Sequence, residues 1–247
     1  MPADASDAPR AWQTVLEHVE SQLLEGRLRP GDRLPGERAL STELGVGRSS
    51  VREALRVLEV LGLIRTQSGS GPSAGAIIIS TPGGGMSALM RLQVAASGFP
   101  VADIVRTRLI LESSVAGDLA DATPAPDLTA ADRLLDAMDS PTLTPQEFLA
   151  LDAAFHLALA EASGNQVITA TMAGLRSGIE GYALQGLASL TDWHATSARL
   201  RTEHRGIVEA IRATDAAAAR TRIHDHISGY YAETFIAPAR TPATPAR

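Results

Sequence analysis

The chain has no cysteine and no lysine, and its 247 residues include only four Phe, three Tyr and two Trp. Without cysteine there can be no disulfide framework, no thiolate metal site, no Cys2His2 zinc finger and no cysteine nucleophile. Long apolar runs are also missing: no stretch approaches the roughly 18 uncharged apolar residues that a membrane span requires. Residues 1–10 have no basic segment leading into an apolar one, so no secretory leader and no membrane association is expected, and the chain is expected to be cytoplasmic.

What is present is 45% hydrophobic and 20% charged, the composition of a folded globular chain with ample length for a core. That all 22 basic residues are arginine, beside 42 alanines, follows a GC-rich coding bias and carries no functional reading. The net charge of -6 is unevenly spread. Residues 1–75 hold 9 Arg against 10 acids and residues 76–247 hold 13 against 18, yet within 27–65 the arginines outnumber the acids 8 to 5. Bulk charge therefore neither announces nor excludes a nucleic-acid partner, because a local face and not a chain average meets phosphate.

Pro and Gly between Pro72 and Gly85 interrupt any helix and mark a boundary. The expected organisation is a winged helix-turn-helix over 10–79, a linker and connecting helix over 80–99, an all-helical antiparallel bundle over 100–235, and a flexible tail over 236–247. The fold class is mainly α. In the second part the runs 101–122, 127–139, 145–163, 165–184, 196–214 and 216–235 carry apolar residues at three and four spacing.

In the first part a helix over 10–25 places Trp12, Val15, Leu16, Val19 and Leu23 on one stripe and stops at Gly26, and a short helix follows over 37–44. After the turn Gly45-Val46-Gly47, a third helix is expected to open with a Ser50–Glu53 capping box and to bury Val51, Leu55, Leu58 and Leu61. Arg52 and Arg56 lie four apart on its other side, with Arg48 just ahead. Arginines leading the second of two helices joined by a tight turn suit groove reading; a solvated arginine face is the competing reading. Leu63–Gln67, the small tip Ser68-Gly69-Ser70-Gly71 and Ala76–Ile79 then read as a wing.

The series Leu28-x-Pro30-Gly31-Asp32-x-Leu34-Pro35-x-Glu37-Arg38-x-Leu40 and Leu44-Gly45-Val46-x-Arg48-x-x-Val51-Arg52-Glu53-Ala54-Leu55-x-x-Leu58-x-x-x-Gly62-Leu63 resembles the GntR family of bacterial transcription regulators. The resemblance implies that Arg38, Arg48, Ser50, Arg52 and Gly69 contact DNA. Two positions depart from the family pattern: Gly36 stands where a serine usually caps the second helix, and the wing return 71–75 is longer than usual.

Of six histidines, five lie between 156 and 226. Asp152 and His156 are four apart on one helix, which aims a carboxylate and an imidazole at one point from successive turns. His204 and His226 border apolar stripes of later helices, whereas His194 and His224 do not. One Asp and three His form a nitrogen and oxygen set suited to zinc, nickel, cobalt or manganese; separately, each histidine also reads as a satisfied core residue.

The pattern Asp152-x-x-Phe155-His156-x-x-Leu159-Ala160-x-Ala162-Ser163-Gly164-Asn165, then Glu203-His204-x-x-Ile207-x-x-Ala210-Ile211, then His226, resembles the FCD effector domain of the FadR subfamily, and Arg108-x-x-x-Glu112 fits that domain's first long helix. The resemblance implies Asp152, His156, His204 and His226 as ligands of a divalent transition metal, zinc first, facing an internal pocket. It also implies Arg108 as the partner of a small carboxylate effector. The expected function is a ligand-responsive, DNA-binding repressor acting as a homodimer on an inverted-repeat operator, with no catalytic residue. Two alternatives are a metal-dependent hydrolytic or other metalloenzyme built on the helical part, and a structural nucleoid protein.

Overall fold

The computed structural model describes residues 10–67, 75–79, 84–97 and 99–236. Gly69 with the wing tip around it, and the tail from residue 237, lie outside the described residues. The chain divides into two compact units, one ending at Leu89 and one beginning at Met90.

The first unit contains α1 (Ala11–Leu24), α2 (Glu37–Leu44), α3 (Arg48–Val60), β1 (Ile64–Gln67) and β2 (Gly75–Ile78). Its core consists of two small clusters, Val15, Leu40, Val51 and Ala54 in one and Val19, Leu34, Leu58, Ile64, Ala76 and Ile78 in the other; Leu16 and Leu55 pack against both. β1 and β2 are antiparallel, with Ile64 opposite Ile78 and Gln67 opposite Gly75. The far edge of β2 is covered by residues 31–34: Gly31 N–H donates to Ile78 O at 2.9 Å and Leu34 N–H to Ala76 O at 2.9 Å. Sequence pattern did not anticipate this third strip, because Pro30-Gly31 reads as a turn and leaves too short a run for a period-two signal.

The capping box expected at Ser50 is not formed. α3 begins three residues earlier than that box requires, at Arg48, with Gly47 as N-cap in extended conformation and no side-chain cap. Val51 N–H reaches Gly47 O at 3.1 Å, so Ser50 already lies inside the first turn. The register that buries Val51, Ala54 and Leu58 outweighs a side-chain cap worth about 1 kcal/mol.

α4 (Gly84–Ser97) crosses the boundary between the units. The second unit is an all-helical bundle of α5 (Val101–Asp121), α6 (Thr129–Met138), α7 (Pro145–Ala162), α8 (Gln166–Gly186), α9 (Trp193–Arg212) and α10 (Ala216–Tyr231), the last followed by a π-helical turn over Ala232–Ile236. Caps fix several of these starts. Thr144 and Glu147 form a reciprocal box at α7 with Pro145 in its first turn, Asn165 caps α8, and Asp215 caps α10. Asp192 caps α9, whose first residue, Trp193, lies three residues before the start expected from periodicity. α5 packs against α7, α8, α9 and α10 and so lies at the centre of the bundle. No helix among the described residues is long and apolar enough to cross a membrane.

Candidate metal centre and nucleic-acid face

Asp152 and His156 project from adjacent turns of α7, His204 from α9 and His226 from α10, and all four are buried. One ligand atom from each lies within 4.8 Å of all the others. His226 Nε2 is 3.2 Å from His156 Nε2 and 3.1 Å from His204 Nε2, while Asp152 Oδ1 is 3.0 Å from His204 Nε2 and 3.8 Å from His226 Nε2. Phe155 packs edge-on to His156 and tilted against His204, closing the apolar side.

Hydrogen-bond accounting tests whether this set suits a cation. His226 Nδ1 faces Glu203 Oε2 at 2.9 Å, and His156 Nδ1 is in direct contact with Glu112 Oε2, a close approach not aligned as a regular hydrogen bond. A ring nitrogen facing a carboxylate carries the proton, which leaves the other nitrogen as a bare acceptor. The Nε2 atoms of His156 and His226 are then two acceptors 3.2 Å apart and cannot bond each other. Burial, then the neighbouring His204, push the His226 imidazole down to about 4, and burial also lowers His204 against the pull of Asp152, so neither of these two rings supplies an extra proton near neutral pH. Burial alone would raise Asp152, but His204 and the other imidazoles hold its carboxyl well below the usual range. Three imidazoles and one carboxylate sharing a buried centre suit a divalent ion. Tetrahedral ligands with bonds of about 2.1 Å stand about 3.4 Å apart, a little beyond the three shortest separations of 3.0, 3.1 and 3.2 Å.

Beside the centre, Arg108 on α5 is buried. Its Nε donates to Glu112 Oε1 at 2.6 Å, its Nη1 to the Tyr182 hydroxyl, and its Nη2 has no hydrogen-bond partner among the described residues. Glu112 is opposed by burial, yet Arg108 and then His156 hold it down at about 2. Arg108, Asp152, Tyr182, His226 and Tyr230 line a cavity with about 10 Å³ of free volume, room for about one water. Sequence reasoning gave no role to Glu112, Tyr182, Glu203 or Tyr230. Glu112 carried a readable sign, four residues after Arg108 on an inward face; Tyr182 carried only its bulk in a run of small residues, Gly178, Gly181 and Ala183. His194 and His224 are exposed and take no part in the cluster.

In the first unit, Arg38, Arg48 and Arg52 are exposed and Ser50 is half-buried. The early start of α3 puts Arg48, Arg52 and Arg56 on successive turns of one exposed face. Arg52 Nε donates to Glu37 Oε2 at 2.7 Å, a tie between α3 and α2 at an exposed position.

Comparison with known proteins gives two family matches. Residues 103–229 match the FCD domain, and residues 12–72 match the bacterial regulatory proteins of the gntR family. The HTH-type transcriptional regulator LutR of Bacillus subtilis is 30% identical over 220 residues, 84% of this chain and 97% of LutR. The HTH-type transcriptional repressor NanR of Klebsiella aerogenes is 30% identical over 220 residues, 87% of this chain and 82% of NanR. The solved structure of Streptococcus agalactiae GntR superposes with a TM-score of 0.57 at 26% identity, covering 89% of this chain and 98% of that one.

Proposed function

The chain belongs to the gntR family of bacterial regulatory proteins and carries an FCD domain, and on that premise we propose that it is a ligand-responsive repressor whose operator affinity is set by a small carboxylate bound beside a divalent metal. The observation that carries this reading is the unpartnered, buried Nη2 of Arg108 on the same small cavity as Asp152 and His226. A buried guanidinium nitrogen without an acceptor is costly, and a carboxylate would supply one.

Asp152 and the Nε2 atoms of His156, His204 and His226 would hold the ion. The donor set supports zinc first, with nickel, cobalt and manganese as the other candidates. When bound, the ion supplies a positive charge that attracts effector oxygen. Arg108 then orients the carboxylate, and burial excludes the water that would compete for it. A ligand of several heavy atoms exceeds the free volume of about 10 Å³, so its entry must move side chains on the helices that line the cavity. That requirement supports coupling between occupancy and helix position, and so a shift of the protein between states of different operator affinity.

On the DNA side, Arg48, Ser50 and Arg52 would read bases and Arg38 would contact phosphate, with Gly69 at the wing. A homodimer would present two copies of α3 to an inverted repeat. NanR, a repressor by name, supports that sign of regulation. The family assignment leaves the metalloenzyme alternative without an observation in its favour.

One set of measurements on the purified protein tests the reading. Zinc-loaded protein is screened against small carboxylates by thermal shift, and its binding to the DNA upstream of its own gene is titrated for wild type and Arg52→Ala. A carboxylate that stabilises the protein should also lower DNA affinity, and Arg52→Ala should weaken specific binding by about 1–3 kcal/mol without changing the melting temperature. DNA affinity unmoved by every stabilising carboxylate, or equal for wild type and Arg52→Ala, would overturn it.

A further inference from the structure

Behind two of the three histidines of the centre stands a carboxylate, and behind each carboxylate an arginine. Glu112 on α5 places Oε2 against His156 Nδ1 and accepts from Arg108 Nε on Oε1. His156 Nδ1 and Glu112 Oε2 have no other partner among the described residues, so each is the other's only buried option. Glu203 on α9 places Oε2 on His226 Nδ1 at 2.9 Å and accepts from Arg199 Nη1 on Oε1 at 2.6 Å. Arg199 Nη2 continues to Glu233 Oε2 at 2.5 Å, in the turn that follows α10. His204 Nδ1 has no hydrogen-bond partner among the described residues.

We propose that Glu112 and Glu203 are positioning residues of the metal centre, each fixing its histidine as the Nδ1–H tautomer, and that of the two only Glu112 joins the centre to the effector arginine. The inference rests on the metal reading above and adds the outer residues that prepare it. The two neutral tautomers of an imidazole are close in energy, and a buried carboxylate on one nitrogen decides between them. With Nδ1 protonated on both rings, two Nε2 lone pairs face the centre before any ion arrives. The arms then differ. Glu112 is 3% exposed and holds Arg108, so a displacement of Arg108 must be felt by His156. The other arm runs outward through Arg199 and Glu233, whose side chains are 36% and 37% exposed.

Glutamine substitutions separate the roles because an arginine demands an oxygen. In Glu112→Gln the amide oxygen turns to Arg108 and the NH2 group faces His156 Nδ1; in Glu203→Gln the same choice is forced by Arg199. Each change should therefore invert one histidine to the Nε2–H tautomer, which long-range proton–nitrogen NMR reads directly in the metal-free full-length protein. Zinc affinity, measured by chelator competition, should fall about 10- to 100-fold for either variant. Zinc addition should shift the Arg108 Nε–H resonance about equally in wild type and in Glu203→Gln, and by less in Glu112→Gln. If Glu112→Gln fails to fold, Glu112→Asp keeps the charge, retracts it, and should show the same losses in smaller measure, while the Glu203 arm is still read on its own variant. Wild-type protein that takes up no zinc would sink the metal reading and this inference with it. Wild-type zinc binding with unchanged tautomers and affinities in both variants would overturn the inference alone.

Discussion

Two of the histidines that meet at the centre, His204 and His226, are held neutral by burial, and the effect is measurable without any metal. His226 in the folded protein titrates at about 4, against an ordinary value of 6.5, because burial and then His204 disfavour its charge. Between those values the unfolded chain binds a proton that the folded chain refuses. Stability contributed by this group is therefore complete above about pH 6.5 and is lost as the pH falls toward 4. His204 acts in the same direction. The carboxylates add to the loss at lower pH: Glu112, held down at about 2, contributes stability above 4.5 that disappears as the pH approaches 2. Chelator-treated protein should thus melt at steadily lower temperature from pH 7 to pH 4, and the double variant His204→Ala, His226→Ala should show a shallower slope and retain no stoichiometric zinc. A melting temperature that stays flat over that range in wild type would mean that the imidazoles are not buried as neutral bases.

The helices were legible in the sequence for a simple reason: each buries one stripe, so Val15 and Val19 or Val51 and Leu58 announce their element without reference to any other. The pair Asp152 and His156 was legible on the same ground, since four residues on one helix fix their relation. Convergence of His156 with His226, 70 residues apart, is implied by the family resemblance and not by periodicity, because it depends on how α7, α9 and α10 pack; the support from Glu112 and Glu203 was legible in neither. The start of α3 was misread because a local Ser-x-x-Glu signal competes with the register of a whole buried face, and the face is worth more. The turn before α3 tests the element itself. Gly45 lies at φ +66° with nothing within 4 Å of where a Cβ would stand, so backbone strain is the whole cost of a side chain there. Gly45→Ala should cost about 1 kcal/mol and Gly45→Asn less, because asparagine tolerates the left-handed region. Chemical denaturation followed through Trp12 fluorescence reads both; equal costs for the two would point to packing and not conformation as the reason for glycine.

At the scale of the molecule, the two units have separate cores with no residue in common. The cluster able to hold a metal draws on α7, α9 and α10, so an ion there would join these helices directly and reach α5 through Glu112, all within the second unit. An ion that binds only the folded bundle stabilises it by linkage, by about 4 kcal/mol when its concentration is a thousand times the dissociation constant. That stabilisation belongs to the unit that holds the ion. Hydrogen exchange with and without a chelator should therefore separate the two: on removal of zinc, amides of α5, α7, α9 and α10 should exchange faster, while those of α1, α2 and α3 keep their rates. The same experiment bears on regulation. If the reading helices keep their protection while operator affinity changes, the effector works by altering how intact DNA-binding units are presented and not by unfolding them. Exchange that rises equally in α3 and α9 on chelation would show one cooperative unit, and the linkage argument confined to the bundle would fail.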